Sequence, residues 1–241
     1  MSLFAKKKNI NNVEVDSRFP EYHKCPVCGE LVKTKPNIIE NYKQKYLDGQ
    51  RKISFETLMN CYHCCEKCGY VYILYDYSKN TNAKDVIKDI VYSDIYRNIL
   101  NDNNIEENEK KLHLLTEIAK CGTATACNVN VLWLMFYEEK QDAENIKKYL
   151  SKRINDVFEG NVFSGSAVNG ELCFEFYKGD KIHIEKDEIL IDLYRRNKEF
   201  DKAKKIIDEK IKEYSLSTNS SIKKYYEYQL NLVRNNDNRH I

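Results

Sequence analysis

The chain has almost no net charge: 39 Lys and Arg face 37 Asp and Glu over 241 residues, leaving +2 at neutral pH. That balance argues against a generic polyanion binder, which would be clearly basic. There is no long hydrophobic run either. The longest, Val131-Leu132-Trp133-Leu134-Met135-Phe136-Tyr137, falls far short of the roughly 20 residues that span a bilayer. The Lys6-Lys7-Lys8 cluster near the start is not followed by the apolar stretch of a targeting signal. A cytoplasmic location is the expectation.

A catalytic constellation is also missing. Gly160, Gly165 and Gly170 match neither a P-loop nor a dinucleotide fingerprint. No Ser/His/Asp spacing supports nucleophilic chemistry. His113 stands between Leu112 and Leu114 and reads as an ordinary helical histidine, while Glu138-Glu139 and Asp187-Glu188 read as solvated helix-end charges. The expectation is a protein that is not an enzyme.

What the chain does have is cysteine, nine in all. The chain has two matching CxxCG knuckles, Cys25-Pro26-Val27-Cys28-Gly29 and Cys65-Glu66-Lys67-Cys68-Gly69, with 36 residues between Cys28 and Cys65. In a reducing compartment such pairs read as metal ligands before disulfides, and an odd count fits poorly with a fully paired framework. The chemistry follows from the spacing. Two intervening residues bring both sulfurs to one ion, Gly supplies the positive φ that leaves the turn, and turn amides donate to the sulfurs. Cys25, Cys28, Cys65 and Cys68 are therefore the expected ligands of a structural zinc ion, with iron as the other metal of such knuckles. A closed four-thiolate site has no open coordination position, and in model peptides it contributes about 10–16 kcal/mol to folding.

Cys61 and Cys64 form a third CxxC immediately before Cys65. Only the Cys65/Cys68 pair carries the trailing glycine, which favours it as the ligand pair. Two alternatives stand beside that choice: a second metal held by Cys61 and Cys64 with His63 or His23, and thiol redox chemistry at Cys61/Cys64. Cys121, Cys127 and Cys173 sit among apolar or small residues and read as buried free thiols.

The hydrophobic pattern predicts an α+β, mostly helical fold: a flexible arm over 1–20, a β-rich zinc ribbon over 21–82 and a helical domain over 83–241. Short β-type stretches, Glu30–Lys33 and Gly69–Tyr75, flank the knuckles. Helical spacing then runs through Ile87, Ile90/Val91, Ile95 and Ile99; through Leu112, Leu115 and Ile118, ending near Gly122; through Leu132, Met135 and Phe136, with Ala124 and Ala126 in the first turns; and through Ile146, Tyr149/Leu150, Ile154 and Val157. Asp142 is placed to cap the last of these. Alternation over Leu172–Phe176 and the Gly179-Asp180 turn predict a β-hairpin near 171–185. Helices resume with Leu190, Leu193 and Tyr194 on one face, then Phe200, Ala203 and Ile206/Ile207, then Ile222, Tyr225/Tyr226, Gln229/Leu230 and Val233, before a polar tail, Asn235–Ile241. The pairing of Tyr194 with Phe200, Ala203 and Ile207 is what a tetratricopeptide-like helix pair uses to nest one helix on the next.

Taken together, the CPxCG knuckle at Cys25–Gly29, the CxxCGY knuckle at Cys65–Tyr70 and the helix pair from Leu193-Tyr194-Arg195-Arg196 to Phe200-Asp201-Lys202-Ala203 resemble an uncharacterised bacterial family, common in Firmicutes, whose domain has no known function. The resemblance implies a zinc ribbon followed by tetratricopeptide-like helices and brings no activity with it. The leading expectation is a zinc-stabilised scaffold or adaptor that binds a protein or peptide through its helices. The alternative is a nucleic-acid-binding ribbon, in which Lys33, Lys35, Lys43, Lys45, Arg51 and Lys52 meet phosphates and Tyr42, Tyr46 and Phe55 stack on bases.

Overall fold

A computed structural model describes residues 8–10, 13–15, 22–33, 53–72, 84–120, 125–159, 173–177, 180–183, 186–214 and 220–241. Among the described residues the fold is α+β and mostly helical, with nine α-helices and four two-stranded antiparallel sheets. The described residues divide into two compact units between Glu139 and Lys140.

In the first unit, β1 (Lys8–Ile10) pairs with β2 (Val13–Val15), inside the stretch expected to be a loose arm. The β-branched Ile10, Val13 and Val15 supply the strand preference that a reading for polarity overlooks. Two further hairpins follow, β3 (Tyr22–Lys24) with β4 (Leu31–Lys33), and β5 (His63–Cys64) with β6 (Val71–Tyr72). A short helix, α1 (Phe55–Met59), precedes the second hairpin. Then come α2 (Lys84–Val91), α3 (Asp94–Asn101), α4 (Glu107–Ala119) and α5 (Thr125–Lys140).

The spacing from Ile87 to Ile99 predicts one continuous helical phase. The chain instead breaks at Ser93, which adopts an extended φ of −69° and ψ of 153°. Its Oγ accepts the Tyr96 amide at 3.3 Å and so caps a new helix. The restart shifts the buried face. Tyr96 is fully buried, whereas Ile95 is 60% exposed.

Helices α2–α5 cluster with the cysteine ribbon, whereas the sequence pattern places a boundary at 82/83. The cause is a shared core. Helix α4 buries Leu112, Leu114, Leu115 and Ile118 and packs against α1, α2, α3 and β6. At about 1.5–3 kcal/mol for each fully buried large aliphatic side chain, this is the main adhesive of the unit. Helix α5 adds Trp133, whose Nε1 donates to Thr116 Oγ1 at 2.9 Å. Phe136 meets Phe55 edge-on at 5.3 Å between ring centroids. Glu139 Oε1 accepts the Phe55 amide at 2.6 Å, placing a carboxylate at the amino end of α1, where free amides favour negative charge.

The second unit, Lys140–Ile241, begins with α6 (Ala143–Phe158), and Asp142 Oδ1 caps it by accepting the Asn145 amide at 3.1 Å. A hairpin of β7 (Cys173–Tyr177) and β8 (Asp180–His183) comes next, with a register irregularity between Glu175 and Tyr177. Helices α7 (Lys186–Arg196), α8 (Phe200–Tyr214) and α9 (Ser220–Arg234) complete the unit. Consecutive helices pack on one another, α6 on α7, α7 on α8 and α8 on α9, and the hairpin lies along α9. Tyr194, Ala203 and Ile207 are all buried.

The pattern assigns α7 one apolar face, yet every residue from Glu188 to Arg196 is buried. Its polar side chains are paired inside the unit, so they do not mark a solvent face. Tyr226 of α9 donates its hydroxyl to Glu188 Oε1, and Arg195 Nη2 donates to Asp192 Oδ1 at 2.5 Å. No helix among the described residues is long and apolar enough to cross a membrane.

Candidate metal centre

The two knuckles are copies of one backbone device. In the first, the Cys25 amide donates to Glu30 O at 2.6 Å and the Gly29 amide donates to Cys25 O at 2.9 Å. In the second, the Cys65 amide donates to Tyr70 O at 3.0 Å and the Gly69 amide donates to Cys65 O at 2.7 Å. The hairpin registers correspond, with Lys24 opposite Leu31 and Cys64 opposite Val71. Gly29 and Gly69 leave their turns at φ of +76° and +72°, a region that costs a residue with a Cβ.

This geometry delivers four sulfurs to one point. The Sγ atoms of Cys25, Cys28, Cys65 and Cys68 all lie within 4.8 Å of one another. The Cys25–Cys68 separation is 3.6 Å and the Cys28–Cys65 separation 3.5 Å. A tetrahedral ion with metal–sulfur bonds of about 2.3 Å would separate its sulfurs by roughly 3.8 Å, so the four fit a metal. Cys25, Cys65 and Cys68 are buried and Cys28 is half-buried. Turn amides face the sulfurs, those of Val27 and Cys28 towards Cys25, and those of Lys67 and Cys68 towards Cys65.

The electrostatics of the bare site point the same way. The hydrogen bond from Cys68 holds Cys25 well below the ordinary thiol range, against the cost of its burial. That same bond, together with burial, pushes Cys68 up, and burial raises Cys65. Four thiolates cannot crowd together in a poorly hydrated site without a cation to offset their repulsion. With four sulfurs converging, a tetrahedral ion would have no position left for substrate or water, which is the arrangement of a structural site.

A shell of aromatic side chains from the two hairpins, His23, His63, Tyr70 and Tyr72, packs together beside the knuckles. Tyr72 lies on the second hairpin, and its hydroxyl is 2.5 Å from His23 Nε2 on the first. Tyr70 stacks on Tyr72 at 4.9 Å, and His63 stands edge-on to His23 at 4.8 Å. Burial raises the Tyr72 phenol and, partly opposed by the negative charge of Cys25, lowers His23. Outside this shell, an exposed Lys67–Glu30 ion pair at 3.2 Å links the two knuckles.

Cys61 and Cys64 stand outside the four-sulfur group, which is the one potential ligand cluster found among the described residues. Cys61 is buried and its thiol donates to Thr57 O at 3.5 Å; Cys64 is half-buried and donates to Gly69 O at 3.8 Å. His113 packs edge-on against Trp133 at 4.8 Å. Phe55 is buried against Phe136, so the stacking role expected of it in a nucleic-acid site does not hold. Lys33 is exposed. Lys35, Tyr42, Lys43, Lys45, Tyr46, Arg51 and Lys52 lie outside the described residues, as do Cys121 and the side chains of Cys127 and Cys173.

Sequence reasoning missed Tyr96. Its buried hydroxyl donates to Gly69 O at 2.9 Å, fastening α3 to the second knuckle. The available signal was Ser93, a favoured capping residue whose helix restart would have moved Tyr96 onto the inner face. The chain matches no family model, no curated protein and no solved structure with which it was compared.

Proposed function

We propose that the chain is a zinc-stabilised cytoplasmic scaffold or adaptor, of the ribbon-plus-tetratricopeptide-like kind its motifs resemble, which binds a protein or peptide through α6–α9 and catalyses no reaction. The observation that carries this reading is the second unit, where consecutive helices each pack on the next. Stacks of that kind present an extended face to partners. The metal centre is consistent with a supporting role, because its four ligands would leave no open position. Zinc is favoured for the ion because an all-thiolate tetrahedral set is one of its usual structural environments.

Metal analysis of the purified full chain should give one zinc per chain. Partner capture followed by hydrogen-exchange footprinting should protect residues 143–234. A footprint confined to residues 22–72, or catalytic cycling of Cys61 and Cys64 between thiol and disulfide, would overturn the reading.

One observation favours the nucleic-acid alternative. The outer face of the first hairpin exposes Tyr22, Lys24, Leu31 and Lys33 side by side, which offers cations for phosphates and a ring for a base. A salt-dependent mobility shift with RNA or single-stranded DNA, abolished by replacing Lys24 and Lys33, would favour this reading over the first.

A further inference from the structure

Several lysines on the helices pair with a carboxylate one turn away, as Lys111 does with Glu107, Lys120 with Glu117, Lys204 with Asp208 and Lys223 with Glu227. Helix α6 is built differently. Its solvent face runs through Lys147, Lys148, Ser151, Lys152 and Asn155, all exposed, to Phe158, which is 54% exposed. The opposite face, with Tyr149, Leu150, Ile154 and Val157, is buried, so the stripe is what helical spacing leaves outside. Lys147, Lys148 and Lys152 stand in no ion pair among the described residues. Glu144 and Glu159 lie at the two ends of the stripe, and Asp156 on its flank is engaged by Arg153 at 3.1 Å.

Two of the lysines gather over one ring. Lys148 Nζ and Lys152 Nζ lie 5.7 Å and 4.3 Å from the centroid of the buried Tyr149. These two cations stand four positions apart, a like-charge pair that disfavours a helix. Burial lowers the Lys152 ammonium from its ordinary range, and the charge of Lys148 lowers it further. At the far end of the stripe Lys186 Nζ lies 4.9 Å from the centroid of the exposed Phe158 ring. An anion laid along this face would relieve the repulsion, because an opposite charge favours the charged form of each ammonium.

We infer that the exposed face of α6 docks a short acidic peptide segment of a partner protein, with carboxylates on Lys147, Lys148 and Lys152 and an apolar side chain on Phe158. This deepens the proposed adaptor function and rests on it, by naming the surface and the chemistry of the partner. The spacing sets the peptide. Lys148 and Lys152 are about 6 Å apart along the helix axis and Lys152 and Phe158 about 9 Å. An extended chain covers these intervals in roughly two and three residues. Carboxylates two positions apart, with an apolar residue three positions further on, therefore match the face. A peptide fits better than a nucleic acid, because the Tyr149 ring is buried beneath its lysines and offers no open face to a base.

The test uses the full chain and a fluorescent peptide in which glutamates alternate with serines and a leucine stands three positions after the last glutamate. Fluorescence anisotropy should show saturable binding. Lys147→Gln, Lys148→Gln and Lys152→Gln together should weaken it at least tenfold, while arginine at the same three positions should keep it. Phe158→Ala, or serine for the leucine of the peptide, should weaken it at least threefold. Absence of saturable binding up to about 1 mM overturns the inference, as does equal binding by the glutamine variant. Tighter binding of single-stranded DNA or polyphosphate through the same lysines overturns it too, since the face would then read charge alone. Should the glutamine variant not fold, chemical shifts of the unmodified chain decide. Peptide-induced changes should centre on residues 147–158, and changes centred elsewhere refute the surface. A partner that protects α7–α9 from hydrogen exchange but not residues 147–158 would uphold the adaptor reading and refute this one.

Discussion

Replacing each knuckle glycine by alanine separates what the metal centre demands of its turns from what α3 demands of the second turn alone. Gly29→Ala and Gly69→Ala impose the same backbone penalty, since φ is +76° at one and +72° at the other. A left-handed alanine costs roughly 1–2 kcal/mol. Space distinguishes the two positions. A Cβ on Gly29 meets nothing within 4 Å, whereas one on Gly69 lies 2.4 Å from Leu100 Cδ2, 2.8 Å from Cδ1 and 3.1 Å from Cγ. The half-buried Leu100 side chain must leave its rotamer to clear the methyl, and its Cγ at 3.1 Å must also give by a few tenths of an ångström. The overpacking term is therefore about 1–3 kcal/mol. Gly69→Ala should then destabilise by about 2–5 kcal/mol against about 1–2 for Gly29→Ala. Urea unfolding of the metal-loaded chain in excess metal measures both. Leu100→Ala placed in the Gly69→Ala background should recover most of the difference, while in the Gly29→Ala background it should recover nothing. Equal losses from the two alanines, or a Leu100 coupling below about 0.5 kcal/mol, would show that the knuckle and α3 do not press on each other and would refute the reasoning.

Tyr96→Phe removes the hydroxyl that donates to Gly69 O and leaves that carbonyl only the weaker Cys64 thiol; the expected loss is about 0.5–1.5 kcal/mol in the same urea assay, and no measurable loss would place α3 elsewhere. Chelation of the metal should increase the number of thiols that react rapidly with Ellman's reagent by four, those of Cys25, Cys28, Cys65 and Cys68, and a smaller increase would break the assignment. The hydrogen bonds from Arg239 hold Asp237 down at about 2, from an ordinary 3.8. A depressed carboxyl stabilises the folded state above its unfolded pKa and loses that contribution as pH falls through the folded one. Packing of the tail on Arg195 should therefore be unchanged from neutral pH to about 4 and loosen between about 4 and about 2, as read from chemical shifts of residues 237–240; loosening near pH 6 would assign it to another group.

The cysteine centre was legible because its rules are local. Two residues between the cysteines and a glycine after them define the turn wherever it occurs, and the Asp142 cap was legible for the same reason. Elements set by distant partners were not. Helix α7 reads as one-sided because Glu188, Asp192, Arg195 and Arg196 look like a solvent face, yet Tyr226 and the carbonyls at 237 and 239 meet two of those charges inside the unit. The placement of α2–α5 beside the ribbon depends on Tyr96 reaching Gly69 and on Phe55 reaching Phe136, pairings of 27 and 81 positions apart that no periodicity encodes. The polar tail reads as surplus because it packs on Arg195 through backbone carbonyls, which every residue possesses.

The anchoring of Phe55 has a consequence for engineering. Strand β4 ends at Lys33, held by its hairpin, and Phe55 is fixed by the Phe136 ring and the Glu139 carboxylate. A change or a label at Phe55 would therefore disturb α5 as well as α1, so a reporter meant to spare this junction belongs on an exposed side chain such as Lys33.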